Sequence, residues 1–505
     1  MNRRTSASLT TAAVALAAAA VAACAPQKSA GTAAPMAAAA AAPTAAATCK
    51  PLPFDMPTTS TLRSSKKKVF AYYFPPFPVS VDNKDPSTDQ WATWLNPLGS
   101  NGQYKAIGGL VRDRPYYSRA KRTQSNWRQL DFEAEVRQAI SQGLDGFIYE
   151  HHTSSDNRWN QLPAMLAAAK AVDPGFKIML SPDFPTTAGA SPDKLVSDIL
   201  IAKGHPSLYR LADGSTPIAP FFPDRQTPAW WDTVRAKLAA KGMKTVLVPN
   251  FVYWPGTGKT EWNSHIYGYT TWGAHWVSGT DTFRKASVEA HARGRIFMSP
   301  VELEDVRPKD GRFWEGSNSG LLRSTWEKAI AGNADWVQYS TWNDYSESWT
   351  APSKERGYAV GDVGAYYLTW FKTGKAPAIA RDALYYFHRG QKTTATYDKT
   401  KQTAGPMKIA AGPAATDNVE LLAFVKSAGK LVIKQGSDVR TKDVAKAGVV
   451  SFTVPMVPGT TPVFQLQRSG KTVQTITSRT PIRKSVTYQD MTYHAGGGVA
   501  TCARS

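Results

Sequence analysis

Cysteine is scarce in this sequence, with only three residues in 505. A small disulfide-stapled scaffold and a protein with several structural zinc sites are therefore excluded. Charged residues make up 20% of the chain and hydrophobic residues 42%, a balance that excludes a disordered chain or a coiled coil. The length then allows one large domain with an accessory domain, or two to three ordinary domains.

Several functional motifs are also missing. The formal charge of +21, about half of it after residue 380, would suit an anionic partner. However, no run of Lys and Arg exceeds three residues, and no helix-turn-helix, zinc-finger or RNA-recognition motif occurs, so no nucleic acid partner is expected. The Gly-x-Ser-x-Gly elbow of serine hydrolases is absent as well. The segment from Gly256 to Thr260 lacks the earlier glycine of a phosphate loop, because that position is Tyr253. No cofactor and no metal are expected.

Residues 1–24 predict an export signal. A basic start precedes a short Ala-rich apolar run, which is too short to span a bilayer, and the run ends at Val21-Ala22-Ala23-Cys24. These last residues resemble a bacterial lipobox, so Cys24 is the predicted lipidation site and the lipid anchors the chain to a membrane. The alternative is an ordinary signal cleaved at a nearby Ala-x-Ala site. We expect an exported protein, either a cell-envelope lipoprotein or extracellular.

Residues 25–50 are rich in Ala, Pro and Thr and predict a disordered tether. Cys49 and Cys502 bracket the folded part of the chain. In an oxidising compartment they are expected to form one disulfide, and two free surface thiols are the alternative. A monomer is expected.

Eight apolar runs alternate with amphipathic stretches between residues 68 and 341. This order predicts parallel strands joined by helices, and eight repeats predict a closed (β/α)8 barrel over residues 51–385. A doubly wound open sheet is the alternative, but it would need an early Gly-rich phosphate turn. The predicted strands are 69–74, 146–150, 177–181, 217–221, 245–250, 266–271, 295–299 and 336–341. Short β-rich runs after residue 385 predict an antiparallel β-sandwich over residues 386–505.

The active site of such a barrel lies at the carboxyl ends of its strands. Carboxylates, amides and aromatic residues predominate there, and the 16 tryptophans, among 55 aromatic residues in the chain, exceed what a core needs. Rings of sugars stack on aromatic faces while carboxylates bind hydroxyl groups, so this rim suits a glycan. The candidates for substrate binding are Tyr72, Glu150, Asp183, Asn250, Trp272, Trp342, Asn343 and Tyr345.

The end of the eighth strand carries two carboxylates, Asp344 and Glu347, three positions apart. Cleavage of a glycosidic bond needs one carboxyl group as the acid for the leaving oxygen and a second as base or nucleophile. A turn after Asp344 would bring both groups into one pocket. The alternative is a solvated turn in which the two acids are incidental.

The segment from Thr341 to Ser348, Thr-Trp-Asn-Asp-Tyr-Ser-Glu-Ser, resembles the Trp-Asn-Asp-Tyr-Gly-Glu-Ser signature of glycoside hydrolase family 71, the α-1,3-glucanases or mutanases. Supporting likeness occurs near residues 69–72, 145–147, 176–183, 299–300 and 334–337. The resemblance implies hydrolysis of α-1,3-glucan with inversion, a barrel followed by a β-sandwich, and a catalytic pair with Glu347 as acid and Asp344 as base. Ser346 and Asn250 depart from the family, which usually has Gly and Asp there.

Some interpretations stay open at this point. Glu150 with His151 and His152 suggests a metal site, but adjacent histidines on a strand point to opposite sides. A cluster of Glu302, Glu304 and Asp305 forms either a polar subsite or a solvated loop paired with Arg307. The alternative functions are an endo-α-mannosidase-like or mannanase-like glycosidase and a non-catalytic surface glycan-binding lipoprotein.

Overall fold

A computed structural model describes residues 50–153, 156, 159–184, 191–253, 259–500 and 502. These residues belong to one compact unit. None of the helices in these ranges is long and apolar enough to cross a membrane. Cys502 is buried and disulfide-bonded, whereas Cys24 and Cys49 lie outside the described residues, so the lipidation site and the Cys49–Cys502 pairing stay predictions.

Eight parallel strands form one sheet in the spatial order 5-4-3-2-1-8-7-6, numbered along the chain. Hydrogen bonds between the fifth and sixth strands close this sheet into a barrel: Tyr267 N donates to Leu247 O at 2.8 Å, and Thr270 N to Pro249 O at 3.1 Å. The predicted barrel is therefore confirmed. Its strands are Lys68–Tyr73, Gly146–His151, Lys177–Pro182, Thr216–Ile218, Thr245–Leu247, Gly268–Thr270, Ile296–Val301 and Trp336–Tyr339.

The first strand shows why these runs are almost continuously apolar. Phe70 and Tyr72 belong to a hydrophobic cluster inside the barrel, while Val69, Ala71 and Tyr73 pack in the cluster that lies between the strands and the helices. Since successive side chains of a strand point to opposite faces, both faces of the sheet are buried.

Helices cover the outside of the barrel, and local capping marks where several begin. Ser191 and Thr227 each precede a proline at the first helical position, and their hydroxyl oxygens accept hydrogen bonds from Lys194 N and Trp230 N. The α-helices are Thr59–Ser64, Gln90–Leu95, Trp127–Ser141, Leu162–Val172, Pro192–Leu200, Pro228–Ala240, Asp281–Ala292, Gly320–Ala331 and Ala359–Thr373. Short 3-10 helices span Ser100–Gly102, Lys105–Ile107, Pro223–Arg225, Thr260–Trp262, Val277–Gly279 and Pro308–Asp310.

The C-terminal part is an antiparallel β-sandwich, as predicted, with two four-stranded sheets and a hydrophobic core between them. The first sheet contains, in spatial order, Gly448–Pro455, Asn418–Val425, Ala383–Arg389 and Tyr493–Val499. The second contains Asp438–Val444, Gly429–Gln435, Val463–Arg468 and Lys471–Thr477. Smaller pairings involve Gln391–Tyr397 with Arg483–Val486, Asn343–Asp344 with Ser348–Trp349, and Lys408–Ile409 with Arg312–Phe313 and Val306–Arg307.

The first sheet of the sandwich packs directly on the barrel. Phe424 lies 5.2 Å from Tyr366 of the last barrel helix and 5.8 Å from Tyr385, between ring centroids. Because one face of this sheet contacts the barrel and the other faces the second sheet, its two central strands are buried almost throughout. The strand Ala383–Arg389 crosses the domain boundary predicted after residue 385, and that boundary stays a prediction.

Candidate active site

A cavity of about 470 Å³ lies at the carboxyl ends of the barrel strands. Its walls combine carboxylates, basic groups and aromatic rings. The lining residues are Tyr72, Phe74, Glu150, Phe221, Phe222, Val252, Tyr253, Trp272, His275, Arg307, Arg312, Trp314, Thr341, Asp344 and Glu347.

Both predicted catalytic carboxylates, Asp344 and Glu347, line this cavity. Asn343–Asp344 pairs antiparallel with Ser348–Trp349, and Glu347 N donates to the Asp344 carbonyl oxygen at 3.2 Å. The chain therefore makes a tight hairpin here, which turns both side chains to one pocket. Thr341 Oγ1 accepts a hydrogen bond from Asp344 N at 2.6 Å and so fixes the start of the hairpin.

The two carboxyl groups have raised pKa values. Burial raises the pKa of Asp344 to about 6, although the backbone N–H and hydroxyl of Ser346 donate to Asp344 Oδ1 at 3.0 and 2.7 Å and stabilise the charged form. Burial among protein groups and the negative charge of Asp344 raise the pKa of Glu347 well above its ordinary value, even though about 34% of the side chain is exposed at the cavity mouth. Two like charges that share a pocket titrate apart, so one holds a proton while the other is ionised.

Arg307 bridges Glu347 to a third carboxylate. Its Nε and Nη2 atoms donate to the two oxygens of buried Asp305 at 2.8 and 2.6 Å, and Nη2 lies 2.9 Å from Glu347 Oε2. This bidentate pair fixes the guanidinium plane and thereby positions Glu347. The pairing of Asp305 with Arg307 that the sequence suggested is present, but Asp305 is buried and Arg307 lines the cavity, so this is not a solvated loop.

His275, which also lines the cavity, extends this network. Its Nδ1 lies 2.8 Å from Glu302 Oε2, and its Nε2 lies 3.7 Å from Asp305 Oδ2. Burial lowers the pKa of His275, but the carboxylates of Glu302 and Asp305 outweigh burial and raise the pKa to about 9. His275 is therefore an imidazolium at neutral pH and partly balances the acidic groups.

A second acidic cluster lies across the cavity. His152 Nε2 is 2.9 Å from Asp183 Oδ2 and 3.5 Å from Glu150 Oε1. Burial raises the pKa of Glu150 to about 8, so this group holds a proton at neutral pH. His151 faces Asp198 instead, at 4.0 Å, and the two adjacent histidines do not converge.

The same cluster has the spacing of a cation site. One ligand atom from each of Glu150, His152 and Asp183 lies within 4.8 Å of the others. The contacts of His152 Nε2 with Asp183 and Glu150, at 2.9 and 3.5 Å, also account for this arrangement without an ion.

An aromatic wall faces the carboxylates. The Trp272 ring lies edge-on to Tyr72 at 5.0 Å and to Phe221 at 5.2 Å, between centroids, and the Tyr72 hydroxyl shares a hydrogen bond of 2.9 Å with Ser181. These contacts hold Trp272 at the cavity surface, where a ring of this kind binds the apolar face of a sugar.

Five predicted substrate-binding residues do not line the cavity, namely Asp183, Asn250, Trp342, Asn343 and Tyr345. Trp342 is completely buried beside Phe147, at 5.3 Å between ring centroids, so its ring cannot stack on a sugar. Tyr345 is buried between Trp91 and Trp349.

The two amides among these five residues, Asn343 and Asn250, hold loops in place. Asn343 bonds the backbone of Phe74 and Phe77, with Phe74 N donating to its Oδ1 at 2.8 Å. Asn250 accepts Val252 N at 2.9 Å. Asp183 contacts His152 at 2.9 Å, and its charge adds to burial in raising the pKa of the cavity residues Tyr72 and Glu150. Hence Tyr72, Glu150, Trp272, Asp344 and Glu347 are the predicted residues that the fold brings together.

Sequence reasoning missed His275, Arg307, Arg312 and Trp314 as cavity residues. His275 lies only five positions after the end of the sixth strand, so an extended search of each strand end would have found it. The position of Arg307, two residues after Asp305, indicated the ion pair that holds it at the cavity. Nothing in the sequence marked Trp314, because its loop reaches the cavity through the pairing of Arg312–Phe313 with Lys408–Ile409.

A (β/α)8 barrel whose strand ends combine paired carboxylates of different pKa with an aromatic wall is the arrangement of a glycoside hydrolase. The chain belongs to glycosyl hydrolase family 71, whose family model matches residues 120–501. It is 24% identical over 383 residues to the glucan endo-1,3-alpha-glucosidase agn1 of Schizosaccharomyces pombe, covering 70% of this chain and 85% of that protein. The mutanase Pc12g07500 of Penicillium rubens is 20% identical over 394 residues, covering 72% of this chain and 84% of the mutanase.

Among solved structures, a GH99 endo-alpha-mannosidase from Bacteroides thetaiotaomicron is similar to this chain. The sequence identity is 14%, the TM-score is 0.46, and the match covers 60% of this chain and 97% of that one.

Proposed function

We propose that this protein hydrolyses α-1,3-linked glucan, with Glu347 as general acid and Asp344 as general base. The observation that carries the proposal is one hairpin that presents both carboxylates to a single aromatic cavity. The family and the names of the fungal relatives support the linkage. The raised pKa values support the roles, because Glu347 keeps its proton to higher pH whereas Asp344, with a pKa of about 6, is ionised at neutral pH.

The reaction proceeds by displacement at the anomeric carbon. Glu347 gives its proton to the glycosidic oxygen as the bond from that oxygen to the anomeric carbon breaks. A water molecule forms the new bond from the opposite face, and Asp344 takes its proton, so the anomeric configuration inverts. The pair ends with its proton exchanged and returns to the starting state through solvent.

Substitution of each carboxylate tests the pair. Glu347→Gln and Asp344→Asn are each expected to reduce kcat/KM on α-1,3-glucan by at least about 100-fold, because each removes one proton transfer. Asp438→Asn, which lies in the β-sandwich and pairs with Arg440 at 2.7 Å, is the control and should retain full activity. Thermal unfolding of each variant confirms the fold. Near-normal turnover by either active-site variant would remove that residue from the mechanism.

Product analysis tests the linkage and the stereochemistry. Incubation with α-1,3-glucan and with α-mannan, followed by NMR of the first products, should show β-anomeric sugars released from the glucan alone. Preferred cleavage of α-mannan would favour the mannosidase alternative, and α-anomeric first products would contradict inversion. Activity should fall as the pH falls through about 6, where Asp344 becomes protonated.

Export and membrane attachment belong to the same proposal. The signal at residues 1–24 and the tether at 25–50 would place a monomeric barrel outside the cell, held by a lipid on Cys24. Labelling with a radioactive fatty acid should mark the wild-type protein and not Cys24→Ser. Incorporation into both proteins, or into neither, would contradict lipidation at this cysteine.

A further inference from the structure

A second cavity lies where the barrel meets the β-sandwich. Its volume of about 570 Å³ exceeds the roughly 470 Å³ of the catalytic cavity, and the two share no lining residue within the described ranges. The barrel contributes Tyr116 and Tyr358, and the sandwich contributes Tyr386, Arg479 and the glycines at 496–498. The catalytic mechanism uses none of these groups.

Tyrosine rings form the barrel side of this cavity. Tyr116 and Tyr358 are half-buried, with ring centroids 5.1 Å apart and planes tilted by 58°. The Tyr116 loop is held in place because Tyr116 N donates to Pro352 O at 2.9 Å. Two fixed, partly exposed aromatic rings at an angle offer a surface for the apolar faces of consecutive sugar rings.

Part of the sandwich side of the cavity is bare backbone, at the glycines 496–498. Gly497 and Gly498 have φ values of +104° and +143°, which favour glycine. A Cβ atom at Gly497 would lie 2.1 Å from Leu384 O, whereas one at Gly498 would meet no atom within 4 Å. Because Gly498 has no side chain and open space beside it, a flat ligand can contact the backbone there directly.

Hydrogen-bonding groups surround the backbone at Gly497 and Gly498. Gln474 Nε2 donates to Gly498 O at 2.8 Å, and the buried Oε1 atom of Gln474 has no hydrogen-bond partner among the described residues. Arg479 is exposed, and its backbone N–H donates to the Tyr386 hydroxyl at 3.1 Å. The cavity thus combines aromatic faces, amides and one guanidinium, and the single Arg479 is matched by one lining carboxylate, Asp362. This balance favours a neutral polyhydroxylated ligand over an ion.

We infer that this cavity is a second carbohydrate-binding site, which takes a segment of neutral glucan chain outside the active site. The inference rests on the proposed function for the identity of the polymer. Because the sandwich packs tightly on the barrel through Phe424 and Tyr366, polymer bound here stays at a fixed place relative to the catalytic cavity. Binding at two places on one rigid body raises the local concentration of an insoluble chain at the active site.

Binding to insoluble α-1,3-glucan particles, measured by depletion of protein from solution, tests the site. The protein carrying Glu347→Gln serves as the background, so that binding is measured without hydrolysis. Adding Tyr116→Ala and Tyr358→Ala should weaken binding at least about fivefold, because two stacking surfaces are lost. In the catalytically active background the same pair should leave kcat/KM on a short soluble α-1,3-linked oligosaccharide within twofold of wild type. Tyr397→Ala, a half-buried tyrosine that lines neither cavity, is the matched control and should bind normally.

A second variant tests the same site in case the double tyrosine variant does not fold. Thr475→Arg adds a long side chain at an exposed strand position in the cavity wall and should weaken particle binding to a similar extent. Unchanged binding by both variants would overturn the second site. If the Glu347→Gln background binds α-mannan particles and ignores α-1,3-glucan, the linkage in the proposed function is wrong, and the tyrosine variants tested on α-mannan still decide whether the second site exists.

Discussion

Removal of the positive charge beside Glu347 should move the whole pH profile of hydrolysis. Arg307 Nη2 lies 2.9 Å from Glu347 Oε2, and its charge lowers the pKa of both Glu347 and Asp344. Arg307→Met removes that charge and keeps most of the side-chain volume. Both carboxyl groups then bind protons more tightly, so the base and the acid each titrate at higher pH.

The size of this shift follows from the distance. Two unit charges 2.9 Å apart interact by roughly 6 kcal/mol at an effective dielectric constant of 20. Because about 34% of the Glu347 side chain is exposed, water screens most of that energy. We therefore expect about 1–2 kcal/mol to remain, or about one pKa unit. This shift applies to Glu347 and so to the basic limb; the acid limb, set by Asp344 with its pKa of about 6, should move in the same direction, to higher pH, because the Arg307 charge also lowers the pKa of Asp344.

The assay is the pH dependence of kcat/KM between pH 4 and 9 on a soluble α-1,3-linked oligosaccharide. Arg307→Lys keeps a positive charge and should leave the acid limb near its wild-type position, even if the rate falls. Arg312→Met is the matched control, since Arg312 lines the same cavity but pairs with Asp310 at 3.0 Å. An acid limb that stays in place in Arg307→Met, or that moves to lower pH, would refute the electrostatic role of Arg307.

The remaining predictions concern binding and stability. Trp272→Ala should raise KM about tenfold with little change in stability, because the ring forms the cavity wall. Trp342→Ala should lower the free energy of unfolding by about 3–5 kcal/mol, because that ring is completely buried. Kinetics and urea unfolding of both variants would show any reversal of these roles. The carboxylates of Asp490 and Glu355 outweigh burial and raise the pKa of His494 to about 10, so the stability from this imidazolium is present below pH 6.5 and is lost as the pH rises to about 10. Melting temperatures should therefore fall more over that range in wild type than in His494→Gln, and equal slopes would contradict the linkage.

Periodicity along the chain was enough to predict the barrel. The third strand, predicted at 177–181 and observed at Lys177–Pro182, and the helix Leu162–Val172 illustrate this, because the two segments differ in length and in the spacing of their apolar residues. Such patterns depend only on which face of a local element is buried. The same reasoning placed Asp344 and Glu347 after the last strand, where the carboxyl ends of parallel strands meet.

Local position did not decide which neighbours of those carboxylates face the substrate. Trp342, Asn343 and Tyr345 lie in the same short segment as the catalytic pair, yet all three are buried. Their orientation depends on what packs against the hairpin, namely Phe147, the backbone of Phe74 and the ring of Trp91. Those partners lie about 200 to 270 positions away in the chain, and adjacency in sequence carries no information about them.

The sequence by itself determined the class of fold, the order of its elements and the two acids at the end of the last strand, since each depends on spacing within one segment. Only the tertiary structure decided that Arg307 and His275 set the charge around those acids, and that the β-sandwich closes a second cavity against the barrel. Electrostatic and surface properties of this kind arise from distances between groups remote in the chain, and burial changes their strength severalfold.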